Sequence, residues 1–397
     1  MGVGESYKLN IVFVSRYPPM HCGVAEYTRH LISAMHSIAS WNKFAVLTST
    51  VEGNKSWYDE VLDVKVIPAF SEQDRSYRKL LDELGYMDRT DILHVEHEYG
   101  IFGESLKLVE AVKTAREEKL VRKAVITMHT VTHPSSGDKR GVFQMHLNEF
   151  DAVVVHSILQ EFELQCQGVD PRKIYRIPHG TLINPYLEFP RQVLAESLGI
   201  ATESLKGAVI AIPGFLRPDK GIDILFSALS YLKGIDKTVL VAGEPRDQRI
   251  VELIEELREE HNIILMDRYL SSDEILRVIG LADILVLPYR DKPGTYSVSG
   301  ILHLSMGGLK PIIGSRTPRL VELYQYVPRL TVPPGDCVEL AKRIKWVINN
   351  YDYAVPYMAT LYGYAARTQW IRMARRHLKL YRRILAGEHP GRAIEEI

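Results

Sequence analysis

Cysteine is scarce in this sequence. Its three, Cys22, Cys166 and Cys337, stand more than 140 residues apart, which leaves no CxxC metal knuckle and no disulfide framework and fits a reducing, intracellular setting. No stretch approaches 18 consecutive apolar residues, and the opening MGVGESYKLN lacks a basic segment running into an apolar one. Neither a membrane span nor a signal peptide is expected, and a cytoplasmic location follows. An excess of charge is missing as well: 49 Lys and Arg meet 49 Asp and Glu. That removes any protein-wide attraction to polyanions and, with it, nucleic acid as the main partner. There is no GxGxxG to cradle a dinucleotide and no D-x-D to hold a divalent ion on a diphosphate.

What the 397 residues do contain is apolar material, 46% of the chain, enough for two cores. Short β-branched runs alternate with helical stretches at 10–15, 44–48, 64–68, 91–95, 124–128, 152–155 and 173–178. They resume at 208–213, 237–242, 263–267, 283–288, 311–314 and 329–332. Nearly continuous apolar strands separated by helices predict parallel sheets covered on both faces. The expected fold class is α/β, with two doubly wound, Rossmann-like parallel-sheet domains facing a cleft. Ligands of such sheets sit outside the carboxyl ends of the strands.

The boundaries follow from the same pattern. Residues 1–180 form the first domain and 207–367 the second. Between them 181–206, with two prolines and no strand pattern, reads as a linker. Residues 368–385 predict a helix with Ile371, Ala374, Leu378, Tyr381 and Leu385 at three- and four-residue steps, and with Arg372, Arg375, Arg376, Lys379, Arg382 and Arg383 on its other face. Such a helix packs on a domain with its basic face solvated; peripheral docking on an anionic membrane surface is the alternative. The tail, 386–397, reads as disordered.

Chemistry concentrates where strands end. After the first strand comes YPPMHCGVAEYTRHL, 17–31, in which Gly23 opens an amphipathic helix. Amides at a helix start attract an anion, and glycine permits close approach. The second domain begins with AIPGFLRPDKGIDILFSAL, 211–229: a strand ends at Gly214, and Arg217 and Lys220 follow before a helix opens at about Gly221. Two cations beside a helix N-terminus can hold a diphosphate. Further on, LPYRDKPGTYSVSGILHLSMGGLKPIIGS, 287–315, leads through a Pro/Gly-rich turn to Ser297, Ser299 and Gly300, which read as another helix start. Ten of the fourteen histidines lie at or before His179, including those in HVEHE (94–98) and MHTVTH (His129, His133) and His146. They suit hydrogen bonding to sugar hydroxyls; a metal cluster is the competing reading.

Taken together, YPPMHCGVAEYTRHL, HVEHEYGIFG, MHT, IPHG, GFLRPDKGIDILFSAL and LADILVLPYRDKPGTYSVSGILHLSMGGLKPIIGS resemble glycosyltransferase family 4, whose members have the two-domain GT-B fold. Trp370 in the last helix looks like the one that crosses back to the first domain. The resemblance implies transfer of a sugar from a nucleotide-sugar donor to a sugar, polyol, lipid-linked or glycan acceptor, with retained configuration, no cofactor and no bound metal. The first domain is then the acceptor side and the second the donor side. It implies that the Gly23 amide lies near the donor phosphate, that His129 faces the transferred sugar, and that Lys220 binds phosphate. Gly214, Ser299, Gly300 and Glu98 complete the implied donor-binding set.

Two departures from the family pattern stand out. The arginine that often follows the strand-end glycine is replaced by Phe215, with Arg217 two positions on as a substitute. The family's two glutamates eight residues apart align with Tyr296 and Leu304, while the Ser299-Gly300 pair resembles that of variant members with altered donor recognition. Glu96 or Glu98 is a nucleophile only if brought to the anomeric carbon. The other readings are a non-catalytic subunit of the same fold that binds a sugar nucleotide, and an epimerase or phosphorylase.

Overall fold

The computed structural model describes residues 8–73, 75–134, 139–258 and 260–388. The chain forms two compact units. The first comprises Met1–Gly180, Gly294–Val298 and Trp370–Ile397, the second Thr181–Pro293 and Ser299–Gln369.

In the first unit the strands are β1 (Asn10–Val14), β2 (Lys43–Ser49), β3 (Trp57–Asp59), β4 (Val64–Phe70), β5 (Thr90–His97), β6 (Val121–Met128), β7 (Thr130–Thr132), β8 (Ala152–Val155) and β9 (Ile174–Arg176). Eight of them make one sheet in the order β3-β4-β2-β1-β5-β6-β8-β9. It is parallel except for β3, a short antiparallel edge that the β-branched pattern does not mark. Buried runs such as ILHVEH along β5, where every position is inaccessible, reflect helices on both faces. The order reverses between β1 and β5, which places a topological switch point there.

The second unit holds β10 (Ala208–Pro213), β11 (Lys237–Ala242), β12 (Ile263–Met266), β13 (Ile284–Leu287), β15 (Ile312–Ser315) and β16 (Thr331–Val332), in the order β12-β11-β10-β13-β15-β16. All are parallel, and the switch point falls between β10 and β13. The fold class is the expected one: two Rossmann-like α/β sheets.

Three segments depart from the boundaries read in the sequence. Residues 181–206 are more than a connection. Arg191–Ser197 is a helix, and Leu194, Ala195, Leu198 and Ile200 are buried in the second core, because the apolar positions of that stretch recur at helical spacing behind Pro190. Thr295–Ser297, β14, falls inside the expected second domain yet belongs to the first unit. It pairs antiparallel with β7, Tyr296 opposite Val131, and Gln160 Nε2 donates to the Tyr296 carbonyl at 3.4 Å. The last helix runs Trp370–Leu385 and packs on helix Gly23–Ile38. Trp370, Met373, Ala374, His377, Leu378, Leu380, Tyr381 and Ile384 are its buried side. That side is wider than the predicted stripe and leaves only the basic face for a membrane. Among the described residues no helix is long and apolar enough to cross one. Of the predicted tail, 389–397 lie outside the described residues.

Candidate functional site

The first unit gathers its candidates at the carboxyl ends of β1, β5 and β6. Gly23 is the first residue of helix Gly23–Ile38, capped by no side chain, and a Cβ built on it would meet nothing within 4 Å. Glycine there is required by no internal contact, and the start of the helix is open. Glu98 caps the short helix Tyr99–Phe102: Oε1 accepts the Tyr99 amide at 2.9 Å and Oε2 accepts the Thr130 hydroxyl at 2.7 Å. Both oxygens of the proposed donor ligand are thus engaged locally.

His129 follows β6, and its Nε2 lies 3.0 Å from Oε2 of Glu96 on β5. Glu96 is wholly buried, which pushes its carboxyl above the ordinary range, with His129 opposing the shift. Around this pair is an aromatic cluster that the sequence pattern did not reveal. The ring of buried Tyr27 meets His129 edge-on at 4.7 Å and also packs on His156, His179 and Trp370, at 5.2, 5.1 and 5.0 Å between centroids. Gly180 of IPHG is obligatory here, since a Cβ would stand 2.1 Å from Trp370 Cδ2. The histidines at strand ends are therefore packed against rings and carbonyls: His156 Nδ1 is 2.9 Å from Ile177 O. Among the described residues no group of three or more His, Cys, Asp or Glu is arranged to hold a metal ion.

In the second unit Gly214 follows β10 with φ 101°, and a Cβ would stand 2.7 Å from Ile301 Cγ1. Gly221 follows the turn Pro218–Lys220 at φ 67° and starts helix Ile222–Leu229; a Cβ there would fall 1.9 Å from the Pro288 carbonyl oxygen. This tight turn carries Lys220 onto Tyr289, at the end of β13, with Nζ 3.9 Å from the ring centroid. Burial pulls the Lys220 amine below its usual range. Among the described residues no carboxylate is paired with it.

Tyr289 is fully buried, and its hydroxyl is 3.2 Å from that of Ser299. Ser299 caps helix Gly300–Ser305, accepting the Leu302 amide at 3.2 Å, so its hydroxyl serves the fold while Gly300 is exposed at the first turn. Ser297, read as part of that helix start, is in β14.

Arg217 is exposed, and its Nη2 pairs with Asp219 Oδ2 at 2.8 Å. The same oxygen is 2.5 Å from Nη1 of Arg319, whose Nη2 pairs with Asp291 Oδ1 at 2.6 Å. Against the upward pull of burial, the hydrogen bond from Arg319 and the charges of Arg217 and Arg319 hold the Asp219 carboxyl below its usual range. Phe215 lies under the guanidinium of Arg246, 4.6 Å from its ring centroid. Arg319 was not legible as a site residue: it sits in the short turn Pro318–Leu320 after β15, and only the fold brings it beside Lys220.

These geometries are set on a known scaffold. The structure is similar to that of HepE from Anabaena in complex with UDP and glucose (TM-score 0.72, 16% identity, 94% of this chain and 99% of that one). It is likewise similar to sucrose-phosphate synthase from Thermosynechococcus elongatus (0.74, 17%, 96% and 100%) and a glycosyltransferase from Rickettsia africae (0.72, 18%, 96% and 99%). The fold is that of the GT-B glycosyltransferases. Within it, residues 207–350 match the family model described as glycosyl transferases group 1, a segment that includes Gly214, Arg217, Lys220, Ser299 and Arg319. No curated protein matches the sequence.

Proposed function

We propose that this protein transfers a sugar, with retention and without a bound metal, from a nucleotide-sugar donor to a hydroxyl acceptor. The observation that carries the reading is Lys220. Its amine rests on Tyr289 at the switch point of a sheet inside the group 1 glycosyl transferases segment, next to the start of helix Ile222–Leu229. Cations and free amides at that point meet the charge that builds on a departing diphosphate, and this is the largest lever such a site has. Solved relatives of the same fold hold UDP, or UDP with glucose. Lys220 and Arg217 bind the diphosphate, Gly214 lets the donor approach the backbone, and Gly300 offers an exposed helix start. In the first unit His129 acts on the transferred sugar and Gly23 offers its amide. The proposed place of action is the cytoplasm.

The test is to incubate the protein with UDP-, ADP- and GDP-hexoses and follow nucleoside diphosphate and free or transferred sugar. Sugar released with retained configuration supports transfer. Tight binding with no release would instead favour a non-catalytic subunit, a reading that fits Tyr296 and Leu304 at the positions where the family carries glutamates. No binding of any nucleotide would end both.

A further inference from the structure

We infer that Arg319 is the second cation of the donor diphosphate site and that Asp219 is a carboxylate the diphosphate displaces to reach it; this rests on the nucleotide-sugar reading above. Three neighbouring strands of the second sheet, β10, β13 and β15, deliver the parts from their carboxyl ends: Asp219 and Lys220, then Tyr289 and Asp291, then Arg319. Tyr289 is the shared platform, with Lys220 Nζ 3.9 Å and Arg319 Cζ 5.3 Å from its ring centroid. Two cations on one ring repel each other, and carboxylates offset this.

The two carboxylates are not equivalent. Asp291 is 5% exposed and holds both the guanidinium of Arg319, at 2.6 Å, and its main-chain amide, at 2.9 Å. It is a fixed anchor that keeps Arg319 in place whatever else binds. Asp219 is 32% exposed and divides one oxygen between Arg217 and Arg319. Its main chain is held by the Arg290 amide at 2.9 Å, so the side chain alone is needed to swing away. Arg290 is itself committed to Asp223, at 2.6 Å.

A guanidinium has five donors in a planar fork, and the Arg319 edge now facing Asp219 suits a phosphate equally well. Displacement would exchange one anion for another on that edge, while Asp291 stays paired with the rest of the guanidinium. The arrangement also supplies what Phe215 removes. Where an arginine is absent beside the strand-end glycine of β10, the cation comes from the end of β15, one strand beyond β13, rather than from the exposed Arg217 alone.

The test is titration calorimetry with UDP, ADP and GDP on the intact protein and on Arg319→Gln, Arg319→Lys, Asp219→Asn and Lys220→Ala. Arg319→Gln is expected to weaken binding about tenfold or more and Arg319→Lys to recover part of it. Asp219→Asn, which removes the competing charge and leaves the Asp291 anchor intact, is expected to tighten binding by about threefold or more. Opposite signs for the two partners of one ion pair do not arise from a merely structural role. The inference is overturned if Lys220→Ala weakens binding while Arg319→Gln stays within about twofold of wild type, or if Asp219→Asn binds more weakly than wild type. If wild type binds none of the three nucleotides, the donor reading itself falls.

Discussion

Nε2 of His129 stands 3.0 Å from Oε2 of Glu96, a carboxylate with no exposure to solvent. An ionised Glu96 only accepts, so in that state Nε2 of His129 is the donor and Nδ1 is the ring nitrogen left for another partner. Such a ring suits a sugar hydroxyl better than a phosphate. His129→Ala is therefore expected to lower the transfer rate about a hundredfold while changing nucleoside diphosphate affinity little. Glu96→Gln, which loosens the tautomer without removing the ring, should lower kcat less. Equal losses of rate and diphosphate affinity in His129→Ala would show that the residue does not act on the sugar.

Lys220→Ala should weaken nucleoside diphosphate binding by roughly 10- to 150-fold, the loss of one charge-assisted contact of about 1.5–3 kcal/mol. Arg217→Ala should cost less, since its guanidinium is exposed and already paired with Asp219. Calorimetry on the two variants gives the order directly. A larger loss for Arg217 would make it, and not Lys220, the principal phosphate ligand.

Stability should fall on acidification. Burial holds His97 at about 3 and His303 and His377 at about 4, so between pH 6.5 and 4 the unfolded chain takes up protons that the folded chain refuses. Each histidine contributes on the order of 3 kcal/mol to this slope. Glu322 acts in the opposite direction. Burial raises it to about 7, and its unfolded form ionises from about 4.5 upward, so it destabilises the fold as pH rises through that window. Because the histidines lowered by burial, His94 among them, outnumber the raised carboxyls Glu96 and Glu322, the melting temperature is expected to drop from pH 6.5 to 4. Glu322→Gln should raise it at pH 8, and His377→Gln should flatten the acid limb; a flat profile in wild type would contradict the buried, neutral histidines.

Gly221→Ala is expected to destabilise the second unit by at least about 2 kcal/mol. The left-handed backbone costs a side chain about 1–2 kcal/mol, and the new Cβ also meets the Pro288 carbonyl. Denaturant melts of the variant measure this, and an unchanged midpoint would mean that the turn relaxes freely.

Because the chain contains no D-x-D, transfer is expected to persist in excess EDTA. Loss of activity on chelation and its return with manganese or zinc would replace the cation-only account of the diphosphate site with a metal-assisted one.

The parallel sheets were legible because each strand is buried on both faces and reads as an unbroken β-branched run, as in AVVV at 152–155. β3, β7 and β14 were not: each has three residues, too few to show a period, and β7 and β14 pair with each other across much of the sequence. The same division holds at the site. Lys220 follows a strand end and precedes a helix, so its place could be read from local order. Arg319 and the Tyr27 cluster depend on neighbours 100 or more positions away, as Arg319 does on Asp219, and no local pattern encodes them. Ser299 was legible as part of a helix start, and it caps helix Gly300–Ser305.

Trp370 and the helix it begins have a temporal meaning. Synthesis delivers the β1–β9 scaffold first, yet Tyr27 and Gly180 wait for an aromatic partner that is added 190 positions after Gly180. At roughly 5–20 residues per second that interval is about 10–40 s, during which the nascent first unit has an uncovered flank along helix Gly23–Ile38. The unit that begins the chain is thus among the last parts to be completed. A ribosome-bound chain halted near position 300 should be far more open to proteases, and a better client for chaperones, than the finished protein.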